Sequence, residues 1–272
     1  MFESLFNLEN KVAAISGGTG ILGTAMARAL ASKGTKVILL DRDPDKSLQL
    51  QEEATGKNWR IKSYKTNVLN ESVMNTVHDQ VIADFGQVDI LINAAGGNMP
   101  GATIGPDQNI LNLSIEDTKK VLELNYLGTV ITSQVFLKSM IDRKEGCIIN
   151  ISSMSAQQPL TRVMGYSSSK AAIDNYTKWL AVELASKFGE GFRVNAIAPG
   201  FFLTNQNRNL LTNEDGSLTA RGKTIIEHTP FKRFGSPEEL IGTLIWLCSD
   251  ASKFVTGTVI PVDGGFSAFS GI

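Results

Sequence analysis

The sequence predicts an α/β fold: a doubly wound, seven-stranded parallel sheet with helices on both faces. Three observations predict it. Short β-branched apolar runs alternate with longer stretches of helical period. The runs are apolar throughout rather than alternating, as in Val37-Ile38-Leu39-Leu40 and Ile148-Ile149, which suits strands buried on both faces. The first run passes through a glycine-rich turn directly into a helical pattern.

Taken in order, strands are predicted at 12–16, 36–40, 60–66, 90–93, 147–152, 193–198 and 258–262, and helices at 22–33, 43–54, 70–84, 114–142, 165–188 and 237–248. Two polar segments break this rhythm, 97–112 after the fourth strand and 201–229 after the sixth. Ligands of open α/β sheets bind outside the carboxyl ends of the strands, so these segments are expected to be a wall and a lid. With 272 residues, 42% of them hydrophobic and 19% charged, one globular domain over 1–272 is the economical expectation. A net charge of −1 supplies no field for nucleic acid or an anionic membrane. The two cysteines, Cys147 and Cys248, lie in apolar stretches without ligand or disulfide spacing. His78 and His228 have no second ligand nearby, so no metal is expected. The first residues carry no basic leader, and no run of about 18 apolar residues occurs, which places the chain in the cytoplasm.

The turn after the first strand reads Gly17-Gly18-Thr19-Gly20-Ile21-Leu22-Gly23. Glycines there let the backbone approach a pyrophosphate, and free N–H groups at the helix start bind its charge, the pattern of a dinucleotide-binding Rossmann fold. Asp41 ends the second strand, where a carboxylate accepts from ribose hydroxyls and repels a 2′-phosphate. NAD is therefore favoured, although Arg42 next to it could instead pair with the 2′-phosphate of NADP. Asn93-Ala94-Ala95-Gly96 offers small residues over which a ring system can lie, or simply a tight turn.

Tyr166 and Lys170 are four residues apart in a helical stretch and share a face. A neighbouring ammonium stabilises tyrosinate, making Tyr166 usable as an acid or base. Ser153 closes the fifth strand thirteen residues earlier, where it can hydrogen-bond the oxygen of a substrate held against Tyr166. Asn125 is a poor helix former inside a predicted helix; it either holds a water beside Lys170 or packs the helix with its own bonds satisfied.

Gly17 to Gly23, Asn93 to Gly96, Asn125, Ser153, Tyr166 with Lys170, Pro199-Gly200 and Arg233-Phe234-Gly235-Ser236-Pro237-Glu238-Glu239 together resemble the short-chain dehydrogenase/reductases, in order and over nearly the whole chain. The resemblance implies that Tyr166 is the acid/base, Lys170 binds the nicotinamide ribose and tunes Tyr166, Ser153 polarises the carbonyl, and Asn125 holds a relay water. It implies cofactor contacts at Pro199, Gly200, Phe202 and Thr204, and at Asn67 and Val68 by the adenine. It also implies a homotetramer built through 114–142, 165–188 and 255–272. Two positions depart from the family pattern. Ile21 stands where a third glycine is usual, which puts the path of the phosphate turn in question, and Asn67 replaces a common aspartate.

The segment Thr204-Asn205-Gln206-Asn207-Arg208-Asn209 is rich in amides, and Asn98, Gln158 and Arg162 flank the same region. Unpaired buried amides cost about 1–3 kcal/mol each, so a polar hydroxylated substrate is expected, with Arg162 or Arg208 clamping a carboxylate. The glycine turn, residues 96–103 and the amide-rich lid resemble the mannonate oxidoreductase branch, which implies NADH-linked interconversion of D-fructuronate and D-mannonate. Alternatives are another sugar or polyol dehydrogenase of gluconate type, a 3-oxoacyl reductase, or, from a different class, a dinucleotide sensor without chemistry.

Overall fold

The computed structural model describes residues 2–204 and 207–271. Their strands are β1 (Val12–Ser16), β2 (Lys36–Asp41), β3 (Ile61–Lys65), β4 (Ile90–Asn93), β5 (Gly146–Ile151), β6 (Phe192–Pro199) and β7 (Val259–Val262), paired in parallel in the order β3-β2-β1-β4-β5-β6-β7. The helices are α1 (Phe2–Leu5), α2 (Ile21–Ser32), α3 (Leu48–Gly56), α4 (Glu71–Phe85), α5 (Ile115–Leu122), α6 (Gly128–Arg143), α7 (Met164–Phe188), α8 (Arg208–Leu211), α9 (Ala220–His228) and α10 (Ile241–Cys248).

Strand side chains alternate between two cores because the pleat has period two. On β1, Ala13 and Ile15 face a core with Met26 and Leu30 of α2 and Leu244 and Leu247 of α10. Val12 and Ala14 face the opposite core, with Val77 and Val81 of α4, Phe136 of α6 and Leu180 of α7. Burial on both faces explains why these strands read as continuous apolar runs. The strand order reverses between β1 and β4; Ala14 of β1 pairs with Ile38 of β2 on one side and Leu91 of β4 on the other. This reversal opens a crevice at the carboxyl ends of the strands.

Three predicted helices differ in detail. Residues 44–47 form a 3₁₀ turn before α3, and 237–240 another before α10; Pro44 and Pro237 each stand at the first position of their turns. The helix predicted over 114–142 is divided: α5 ends at Leu122, a π turn spans Glu123–Leu127, and α6 begins at Gly128. Asn125 is the centre of that π turn.

Candidate active site

The turn from β1 to α2 is shaped for a bulky anion. Gly17 has φ +67°, and a Cβ there would lie 2.8 Å from the Ala95 backbone. A Cβ on Gly23 would lie 2.4 Å from the Gly17 carbonyl, so α2 packs against the turn at a distance only glycine permits. Gly20 caps α2 without a side-chain hydrogen bond, and the first turn, with Ile21 and Leu22, carries no acidic residue. Its leading N–H groups therefore await an acceptor, as a pyrophosphate site requires. The Thr19 N–H donates to Asp41 Oδ2 at 3.3 Å, which turns the carboxylate toward this mouth, whereas the Arg42 side chain is exposed. Ile21 simply starts the helix, so its lack of the family glycine leaves the turn intact.

β4 delivers the second wall. Ser16 Oγ accepts from the N–H groups of Ala94 (3.2 Å) and Ala95 (3.3 Å), fixing the strand's exit, a role that nothing in the local sequence marks. The Asn93 side chain points inward, donating to Ser133 Oγ (2.9 Å) and Asn150 Oδ1 (2.8 Å). It locks β4 to β5, and its side chain is not turned to the crevice as a cofactor contact. Gly96 lies where a Cβ would be 2.5 Å from Asn125 Oδ1 and 3.5 Å from Lys170 Nζ. Val68 is buried under Gly128, while Asn67 Oδ1 accepts from Leu69 N–H at 3.1 Å in a local turn.

The reactive groups converge where β5 meets α7. Ser153 Oγ accepts from the N–H (3.2 Å) and Oγ–H (3.0 Å) of Ser155, which leaves its own hydrogen to donate. Lys170 is 5% exposed and donates to the Ile151 carbonyl at 2.7 Å, with its Nζ 5.6 Å from the centre of the Tyr166 ring. Burial lowers its amine to about 8, the Asp174 carboxylate one turn on resisting the shift. Burial raises the Tyr166 phenol above its usual value, and the Ser153 hydroxyl beside it offsets part of that. The expected lowering of Tyr166 by the Lys170 ammonium is not seen; desolvation dominates. Asn125 is fully buried: its amide accepts from Gly97 N–H (3.1 Å) and donates to Gly97 O (2.7 Å) and Val121 O (2.8 Å). It clasps the Gly97 peptide to the π turn.

Ser153, Tyr166 and Lys170 line one cavity of about 590 Å³ that also takes in Leu22, Ala94, Gly96, Asn98, Pro199, Gly200, Phe202 and Thr204. Residues 18–267 match the family described as enoyl-(acyl carrier protein) reductase. The chain belongs to the short-chain dehydrogenase/reductases. The chain is 44% identical over 275 residues to the uncharacterized oxidoreductase UxuB of Bacillus subtilis (strain 168), covering 98% of both chains. It is 32% identical over 272 residues to a 2-dehydro-3-deoxy-D-gluconate 5-dehydrogenase of Formosa agariphila, covering 100% of this chain and 98% of that one. A solved structure of a provisionally named D-mannonate oxidoreductase from Haemophilus influenza, with NAD bound, superposes with TM-score 0.90 at 44% identity, covering 98% of each chain.

The far end of the cavity corrects several expectations. Asn98 lines it and donates to Thr103 Oγ1 at 2.7 Å, while its buried Oδ1 has no partner. Gln158, Arg162 and Arg208 are not among the lining residues. Gln158 donates to the Ser267 carbonyl (2.8 Å), Arg162 Nε to the Ile104 carbonyl (2.5 Å), and Arg208 is exposed at the start of α8. Asn205 lies outside the described residues. Asn207 bonds backbone, accepting from Thr204 N–H and donating to Phe202 O, both at 2.8 Å. The lining is correspondingly more apolar than the amide-rich sequence suggests, with Met99, Met154, Leu160, Val163 and Leu210 in it. The guanidinium that does line the cavity belongs to Arg221, in α9.

Proposed function

We propose that the protein is an NAD-linked reductase of a keto sugar acid, D-fructuronate to D-mannonate or the reverse, working in the cytoplasm as a homotetramer folded from single domains of residues 1–272. The observation that carries the reading is the convergence of Ser153, Tyr166 and Lys170 on a cavity that Leu22 of the glycine turn also lines. A bound nicotinamide would supply the hydride to the substrate carbonyl carbon. Gly17, Thr19, Gly20 and Gly23 would hold the pyrophosphate, Asp41 the adenosine ribose, and Ala94 to Gly96 with Pro199, Gly200 and Thr204 the nicotinamide side. Names of two relatives support a sugar acid, one dehydrogenating a deoxygluconate derivative and one provisionally named for mannonate.

Ser153 donates to the carbonyl oxygen with the one hydrogen that Ser155 leaves free, drawing charge onto that oxygen. Tyr166, protonated because burial disfavours its anion, donates its phenolic proton to the same oxygen. Lys170 stabilises the resulting tyrosinate, and a water beside Lys170 returns the proton. A 3-oxoacyl substrate is the second reading, favoured by Met99, Met154 and Leu160 in the cavity wall. NADH and NADPH oxidation would be followed by absorbance with D-fructuronate, neutral keto sugars and a 3-oxoacyl thioester. NADH-linked turnover of fructuronate that drops by at least ~100-fold in Tyr166→Phe is expected. Turnover of the thioester alone would replace the substrate, and cofactor binding without any turnover would leave a sensor.

A further inference from the structure

Arg221 is a guanidinium without a carboxylate among the described residues. It lies in α9 just after the cap, where Thr219 Oγ1 accepts from Gly222 N–H at 3.1 Å, and it lines the same cavity as Tyr166. Among the described residues its hydrogen bonds are two long ones to Thr161, from Nη1 to Oγ1 and from Nη2 to the carbonyl oxygen, both at 3.3 Å. Most of its five N–H donors are thus uncommitted. Among the described residues Arg28, Arg143 and Arg233 reach carboxylates at 2.9, 2.9 and 2.6 Å, whereas no carboxylate lies within 4.0 Å of Arg221. The charge it does feel is that of Arg162, which with burial works against its protonation.

Two partly buried cations without a counter-charge are unfavourable until an anion arrives. Arg162 cannot itself turn to the cavity. Its Nε is bonded to the Ile104 carbonyl, its carbonyl accepts from Ile104 N–H at 2.9 Å, and its backbone has φ +77°. It contributes field, and Arg221 contributes donors. We propose that Arg221 binds the carboxylate of the substrate in this cavity and sets the preference for anionic over neutral keto sugars. The proposal rests on the sugar-acid reading above and assigns that recognition to a residue of the lid. Gly222 ties α9 to α8, since a Cβ there would meet the Leu211 carbonyl at 2.2 Å, so a carboxylate held by Arg221 fixes both lid helices over the substrate.

The test compares kcat/KM for D-fructuronate and for the neutral ketohexose D-fructose in the wild type, Arg221→Met and Arg221→Lys, with NADH binding followed by fluorescence titration. The expected result is a preference for the acid that falls on the order of 100-fold in Arg221→Met and less in Arg221→Lys, which keeps the charge but loses the fork. NADH affinity should stay unchanged in both. An unchanged preference in Arg221→Met overturns the proposal and leaves the sugar-acid reading standing. A wild type that turns over fructose, or neither compound, in place of fructuronate overturns both. Should Arg221→Met fail to bind NADH, the lysine variant decides: a fall of about 10-fold supports the proposal, and no fall overturns it.

Discussion

At the scale of single residues, Lys170 carries a titration that can be read in stability. Its amine, brought to about 8 by burial, gives up its proton well below a free lysine, near 10.4. Between about pH 8 and pH 10 the unfolded chain therefore holds a proton that the folded chain has lost, and stability rises with pH across that window. The unfolding free energy from urea titrations should climb there by an amount on the order of 2 kcal/mol, and the climb should flatten in Lys170→Met. Tyr166 and Lys170 were legible in the sequence because their spacing and Ser153 share one chemistry. Arg221 was not, because nothing local marks it: it sits in a lid whose sequence advertises amides, one of which, Asn207, serves the backbone. Arg162 looked better placed, yet its positive φ and its bond to Ile104 direct it elsewhere.

At the scale of elements, the contact between α2 and the glycine turn is the most sensitive joint. Gly23→Ala should push the helix from the Gly17 carbonyl and weaken NADH binding at least ~10-fold by fluorescence titration. Gly56→Ala, at the end of α3 with open space around its missing Cβ, should instead raise thermal stability by about 0.5–1 kcal/mol and leave NADH affinity alone. The inner strands β1, β2, β4, β5 and β6 could be read to within a residue or two because burial on both faces keeps them largely apolar. The π turn could not, because Leu122 to Leu127 has ordinary helical composition and only the clasp between Asn125 and Gly97 reveals the wider turn.

At the scale of the whole molecule, large apolar side chains stand outside the two cores. Ile115 of α5 and Trp179 and Val182 of α7 are 65%, 56% and 66% exposed, on helices expected to meet neighbouring subunits. Light scattering after size exclusion should give a tetramer, and Trp179→Glu combined with Val182→Glu should give smaller species. No described helix is long and apolar enough to cross a membrane, so these side chains do not belong to a spanning segment.

The π turn can also be counted in phase. Each residue of an α-helix advances about 100°, so the eight steps from Val121 to Thr129 would leave these two buried residues roughly 80° apart on a regular helix. A turn that absorbs one surplus residue reduces the eight steps to an effective seven, and the offset to about 20°. Val121 of α5 and Thr129, Thr132, Phe136 and Met140 of α6 then keep one inward azimuth. Asn125 occupies a place that this alignment does not need. The helix has taken in one extra residue for the cleft while its packing stripe continues in step on either side.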